Sequence, residues 1–99
     1  RTGVTVVADH DLEAERRQSR SREHRAQQQQ VHTLEKEIAK LESRQAELTA
    51  ELENPATYEN PGRAVEINGE MRGILQNLKH LNAEWEAAAM KLEELNAQP

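Results

Sequence analysis

Residues 31–61 read VHTLEKEIAKLESRQAELTAELENPATYENP, and this stretch decides the fold. Apolar side chains recur in it at alternating spacings of three and four residues, which is the a and d pattern of a coiled-coil seam. One polar residue, Gln45, interrupts the pattern. The predicted seam of helix one consists of Val31, Leu34, Ile38, Leu41, Gln45, Leu48 and Leu52.

Two Asn-Pro pairs end this helix and begin the next one. Proline disfavours a helical conformation of the residue before it, so helix one is predicted to stop near Glu53. Asn54 and Asn60 can each cap a new helix whose first position is the following proline. The sequence therefore predicts a tip over residues 54–60 and a second helix that starts at Pro61.

Helix two keeps the same spacing without a slip. Because the connection is short, the two helices are predicted to be antiparallel neighbours. Folding the chain at the tip then pairs Leu41 with Ile74, and Ile38 with Leu78. The predicted seam of helix two consists of Ala64, Ile67, Met71, Ile74, Leu78, Leu81, Trp85, Ala88, Leu92 and Leu95.

The two seams stop matching at the end away from the tip. The same pairing sets Gln27 against Ala88 and His24 against Leu92, so polar residues of helix one face apolar residues of helix two. The sequence predicts fraying or partner binding at this open end. Self-association, or contact with another chain, would then use the residues of helix two that are left exposed, namely Ala88, Leu92 and Leu95.

The chain before the hairpin has no seam. Residues 4–7 form a β-prone run, but no second strand is present to pair with it, and an isolated strand cannot satisfy its backbone groups. We therefore predict that this run is disordered. The alternative is that it forms the last strand of an upstream domain. The predicted fold class is all-α: a two-helix antiparallel coiled-coil hairpin over 21–97, with a disordered N-terminal lead-in over 1–20. Helix one covers about 21–53 and helix two about 61–96.

The composition and the motifs of the sequence argue against several classes of function. There is no cysteine, hence no disulfide and no thiolate chemistry. No stretch approaches the roughly 20 apolar residues of a membrane span, and the start lacks a signal-peptide layout, so we expect a cytoplasmic domain without a membrane contact. The histidines form no ligand cluster, and no phosphate-binding loop or nucleophile–base arrangement is visible. We therefore predict no metal site, no catalytic residue and no enzyme activity of this chain.

A cluster of arginines precedes the hairpin. These positive charges could neutralise phosphates of a nucleic acid, although a solvated linker is the plainer interpretation of a charged run. At the tip, Arg63 could assist, and Tyr58 could stack on a base, although packing of Tyr58 against the loop is the stronger expectation. The predicted phosphate contacts of the cluster are Arg16, Arg17, Arg20, Arg22 and Arg25.

Residues 31–95 resemble the C-terminal coiled-coil domain of ABC-F ATPases of the Uup type. The tip, with its two prolines and a tyrosine, is the most specific part of the resemblance, since heptads alone match many coiled coils. The residues that carry it are the helix-one stretch 34–42, the tip stretch 54–58 with Pro61, Arg63 and Ala64, and the stretch 84–86 around Trp85.

The resemblance implies a function that the spacing of residues does not show. Proteins of this family have two ATP-binding cassettes and no membrane domain, and they act on the ribosome or are associated with DNA. It implies a non-catalytic accessory domain that binds DNA or ribosomal RNA and tunes the ATPase cassettes of the same parent chain. ATP and magnesium are then expected only in those cassettes, and no cofactor in this chain. The alternative is a protein–protein coiled-coil or dimerisation module.

Overall fold

The computed structural model describes the backbone of residues 2–98 and the side chains of residues 11–98. Helix α1 spans Thr2–Glu53, a short 3₁₀ helix spans Pro55–Glu59, and helix α2 spans Pro61–Ala97. The two long helices pack side by side in opposite directions, and the molecule is a rod 86 Å long and 15 Å thick. The described residues contain no strand. The predicted all-α antiparallel hairpin is confirmed.

The hydrophobic core is the predicted seam. Leu48 and Ile67 are both 0% exposed and meet near the tip, in a cluster with Ile74 and Leu78. Trp85 is half-buried at its predicted seam position, and its indole N–H is buried without a hydrogen-bond partner among the described residues. The partly buried residues packed against the cluster are Ile38, Leu41, Leu52 and Met71.

Side chains of the tip complete the last turn of α1. The final carbonyls of a helix have no partner within it. Here the Thr57 hydroxyl donates to the carbonyl of Glu51, and the Tyr58 hydroxyl donates to the carbonyl of Leu52 at 2.6 Å. Asn54 caps the 3₁₀ helix as predicted, since its Oδ1 accepts the backbone N–H of residue 56 at 3.0 Å. The turn is therefore held by its own residues.

Asn60 differs from the prediction. It occupies the N-cap position before Pro61, but its side chain makes no capping hydrogen bond. The backbone closes this turn instead, because the carbonyl of Asn60 accepts the N–H of Arg63 at 3.0 Å. Only the first of the two predicted asparagine caps is formed.

Helix α1 begins far earlier than predicted. The sequence places its start near residue 21, yet α1 includes the segment expected to be a disordered lead-in and the β-prone run at residues 4–7. Residues 11–53 contain no glycine or proline, and extending an existing helix costs less than nucleating one. No break in helical backbone marks residue 20, so the division into lead-in and hairpin stays a prediction.

The open end of the hairpin is closed by polar contacts. Gln27 occupies a seam position, is only 7% exposed, and its Nε2 donates to the carbonyl of Ala88 at 2.9 Å. Further out, the His24 ring hydrogen-bonds the side chain of Asn96. The residue pair predicted from the register is thus present, but the mismatch is satisfied by hydrogen bonding instead of left exposed.

These contacts bear on the predicted self-association residues. Ala88 is buried, so it is not exposed as predicted, because Gln27 of α1 covers it. Leu92 and Leu95 are half-buried, and self-association through them stays a prediction.

Candidate nucleic-acid interface

The arginine segment, residues 16–25 of α1, lies at the end of the hairpin away from the tip. Its five arginines are exposed, and none of them forms a salt bridge within the described part of the chain. Glu23 is the one acid inside the segment. The segment is thus a local excess of positive charge on a chain whose net charge is −5.

Helical geometry divides the arginine segment between two faces, because each residue advances by about 100° around the axis. One face continues the seam and carries Arg16, Arg17 and Arg20. Arg22 and Arg25 lie on the roughly opposite face. The structure therefore brings the predicted residues together along one helix but does not gather them on one surface.

The C-terminal end of α2 lies against the first of these faces. Leu95 and Gln98 line a shallow depression together with Arg17, Arg20 and His24. The last carbonyls of a helix carry partial negative charge, and cations near them are stabilising. Arg17 and Arg20 therefore lie beside this end of α2, whereas Arg22 and Arg25 lie on the other face of α1.

Arg63 is placed differently from the other predicted arginines. Its Nη2 donates to the Glu51 carboxylate at 2.9 Å, its Nε donates to the second oxygen of the same carboxylate, and Nη1 reaches Glu66 at 3.4 Å. These hydrogen bonds, first of all that with Glu51, raise the pKa of Arg63 further above its usual value. Its role as a phosphate contact stays a prediction, and its contacts favour a structural role that ties the first turn of α2 to the last turn of α1.

Tyr58 is tied to the tip by its hydroxyl and keeps much of its ring exposed, and its stacking on a base stays a prediction. Its hydroxyl is bound to the carbonyl of Leu52, yet the residue is 58% exposed. The hydrogen bond fixes the ring at the tip, and its exposed surface is available for stacking.

Two contacts escaped the sequence interpretation. Arg44 donates two hydrogen bonds to Glu70 across the hairpin, at 3.1 and 3.0 Å. Arg63 likewise donates hydrogen bonds to the carboxylate of Glu51. The predicted register sets these oppositely charged residues level with each other, and this juxtaposition is the sequence signal for both ion pairs. Gln27 was placed correctly opposite Ala88, but its hydrogen bond to a main-chain carbonyl has no signature in the sequence.

The Glu51–Arg63 pair predicts an acid-sensitive tip. The hydrogen bonds from Arg63 hold the pKa of the Glu51 carboxyl below its ordinary value of 4.5. A lowered pKa in the folded state means that the pair stabilises the fold above that ordinary value, and that the stabilisation is lost as pH falls through the folded-state pKa. Thermal unfolding at pH 7 is expected to give a lower Tm for Glu51→Gln than for the wild type, and the difference should vanish near pH 2. A Tm difference that stays constant from pH 7 to pH 2 would contradict this assignment.

Metal-ligand clusters and membrane-spanning helices are absent from the described residues. No group of three His, Asp or Glu side chains within residues 11–98 could hold a metal ion. No helix in the part of the chain that the structure describes is long and apolar enough to cross a membrane. The depressions lined by residues 42–82 and by residues 13–20 lie along the outside of the two-helix rod and are open to solvent.

The family comparison covers most of the chain. Residues 22–97 match the family described as the ABC transporter C-terminal domain. The match contains the whole hairpin together with Arg22 and Arg25, and begins just after Arg20. No curated protein and no solved structure matches the chain. From its two-helix hairpin and this match, the chain belongs to the ABC transporter C-terminal domain family, and it is an accessory domain of an ABC protein.

Proposed function

We propose that this accessory domain is non-catalytic, binds nucleic acid through its arginine segment, and tunes the ATPase cassettes of its parent protein in the cytoplasm. The observation that carries the proposal is the exposure of five arginines without a carboxylate partner among the described residues. Arg44 and Arg63 are, by contrast, both engaged by glutamates. The phosphates of a nucleic acid would be the anionic partners of the arginine segment.

The two faces of the segment suit a double-stranded ligand. A helix that carries cations on opposite sides can contact the phosphates of both strands that flank a groove. The major groove of B-form DNA admits an α-helix, whereas that of double-stranded RNA is too deep and narrow. The arrangement therefore favours duplex DNA, and ribosomal RNA is the second ligand to test.

The position of the arginine segment along α1 supports the proposal that the domain tunes the ATPase cassettes. The arginine segment lies outside the tightly packed tip half, and α1 continues from it as a helix back to Thr2. A ligand bound there would contact the domain on the side from which the chain enters the hairpin. The Uup-type assignment, and the presence of ATP and magnesium in the cassettes alone, belong to this proposal and rest on the resemblance.

Salt-dependent binding tests the proposal. Fluorescence anisotropy with a labelled DNA duplex and a labelled RNA hairpin is expected to show binding that weakens steeply as salt increases. Each phosphate contact contributes a slope of about 0.9 to the dependence of log K on log salt for duplex DNA. Replacing Arg22 and Arg25 by Ala should therefore flatten the slope by about two.

Two lysines outside the segment provide a matched control. Lys36 and Lys40 are exposed on the same helix, and the double change Lys36→Ala, Lys40→Ala removes the same charge from the hairpin body. Its slope is expected to equal that of the wild type. Absence of binding at low salt, or binding that survives replacement of all five arginines by Ala, would overturn the proposal. The tuning is measured in the parent protein as the change in ATP hydrolysis that nucleic acid causes, before and after the arginine replacements.

A further inference from the structure

The two long sides of the hairpin differ. On one side, the bridged face, salt bridges cross between the helices, from Arg44 to Glu70 at 3.0 Å and from Arg63 to Glu51. Along the opposite side, the open face, no salt bridge crosses between the helices within residues 11–98. One side is thus closed by its own charges, and the other is free to take a partner.

The open face is a shallow groove that exposes apolar side chains among polar ones. Ala46 and Ala50 of α1 line it together with Leu75 and Leu78 of α2. Leu78 is also a residue of the buried cluster, so the groove continues the hydrophobic core to the surface. Leu75 is 54% exposed, although it lies beside the seam and not on the outer face of the helix. Leu75 is therefore an apolar side chain beside the seam that a second helix could bury.

The walls of the open face carry opposite charges. Glu42 lines the α1 wall, and Lys79 lines the α2 wall. Each has a companion of the same sign seven residues away, Glu35 on α1 and Arg72 on α2, so each wall carries a repeated charge on one helical face. The Arg44–Glu70 contact fixes the register, and it sets Arg72 level with Glu42 and Lys79 level with Glu35.

From this pattern we infer that the open face binds the open face of a second copy of the chain. The two hairpins lie side by side with their tips at the same end, related by a two-fold axis along the rod. This arrangement places α1 of each copy over α2 of the other, so that acidic walls meet basic walls at matching levels. In this register Leu75 of each copy lies level with Ala39 of the other. The reverse arrangement, with tips opposed, places acid on acid and base on base.

The size of the groove sets the strength of the association. Its lining runs from Glu42 to Glu53 on α1, a length of about 18 Å. A contact over this length buries less surface area than a standard stable interface, and such a small area is typical of a weak, transient interface. The association is expected in the high micromolar range and goes beyond the nucleic-acid proposal, since it uses none of the arginine segment.

Sedimentation equilibrium over a wide concentration range tests the inference. The average mass of the wild-type chain should rise from the monomer value of 11.3 kDa towards twice that value as concentration approaches about 1 mM. Leu75→Glu should stay at the monomer mass. Met90→Glu is the matched control, because Met90 is 63% exposed on the outer face of the same helix, and it should behave as the wild type. A wild-type chain that stays monomeric throughout, or equal loss of association in both variants, overturns the inference.

Charge reversal and a distance measurement test the orientation. Arg72→Glu should abolish association, and adding Glu42→Arg to the same chain should restore it. Because the chain has no cysteine, Ala56→Cys gives a single site for a spin label at the tip. The groove lies about 20 Å from the tip, so opposed tips would set the two labelled backbones about 40 Å apart, whereas tips at the same end set them about 10 Å apart. The longer distance, or failure of the double reversal to restore association, contradicts the proposed dimer.

Discussion

Replacement of Leu48 by Ala is expected to lower the free energy of unfolding by about 2–5 kcal/mol, the range for large-to-small changes in a core. Leu48 and Ile67 are the two large side chains that the hairpin buries completely. A two-helix rod has no second layer that could relax into the cavity, so the upper part of the range applies. Small domains have only about 5–15 kcal/mol of stability in total, so the variant should lose a large share of it.

Urea unfolding followed by circular dichroism measures this effect. Met90→Ala is the matched control, since it removes a long apolar side chain from the exposed outer face of α2. Its free energy of unfolding should remain within about 0.5 kcal/mol of the wild-type value. Fluorescence of Trp85, the one tryptophan, reports on the half of the seam away from the tip and should follow the same transition. If Leu48→Ala costs no more than Met90→Ala, the seam is not the core that the structure shows.

A second large effect is expected for Gln27→Glu, a change that preserves shape and removes a donor. The Nε2 of Gln27 donates to the carbonyl of Ala88 in a buried setting. A carboxylate there would meet the carbonyl oxygen with no hydrogen to share, and it would lose its water. We expect a loss of roughly 2–4 kcal/mol at pH 7, because an uncompensated buried charge costs more than an unpaired neutral group.

The sign of its pH dependence distinguishes this mechanism from a loss of packing. Burial raises the pKa of the introduced carboxyl in the folded state, and a raised pKa means that stability is greatest below the unfolded-state value and falls as pH rises through the folded-state value. Stability of the variant relative to the wild type should therefore recover as pH falls towards about 4. Gln29→Glu makes the same chemical change at an exposed position two residues away and should show neither the loss nor the recovery. A pH-independent loss in Gln27→Glu would refute the role of the missing donor.

The features that sequence predicts well here are those set by periodicity and by proline. The spacing of apolar residues places Leu48 and Ile67 in one seam, and the two Asn-Pro pairs place the tip within a residue of its observed bounds. Both depend on short-range geometry that each residue imposes on its neighbours. The start of α1 was missed because polar helix formers without an apolar stripe carry no period, and helicity there follows from the absence of a breaker.

Contacts between specific atoms are predicted less well from the sequence. The Asn60 side chain has the right identity for a cap and does not form one, because a main-chain hydrogen bond closes the same turn. The charge of Arg63 predicts a phosphate contact, whereas in the structure its guanidinium binds the carboxylate of Glu51. The two faces of the arginine segment follow from simple helical geometry, but only once that segment is known to be helical.

The self-contained tip has a consequence for the order in which the chain folds. Its hydrogen bonds join residues only 2–6 positions apart, so the turn can form before any distant contact exists. Each seam pair further from it closes a slightly longer loop. Gln27 and Ala88 are 61 positions apart, and His24 and Asn96, which are 72 positions apart, close the longest loop of the pairs described. Folding is thus expected to zip outwards from the tip. The arginine segment then borders the last part of the hairpin to close and the first to open, which lets a ligand bound there act on the hairpin without disturbing its core.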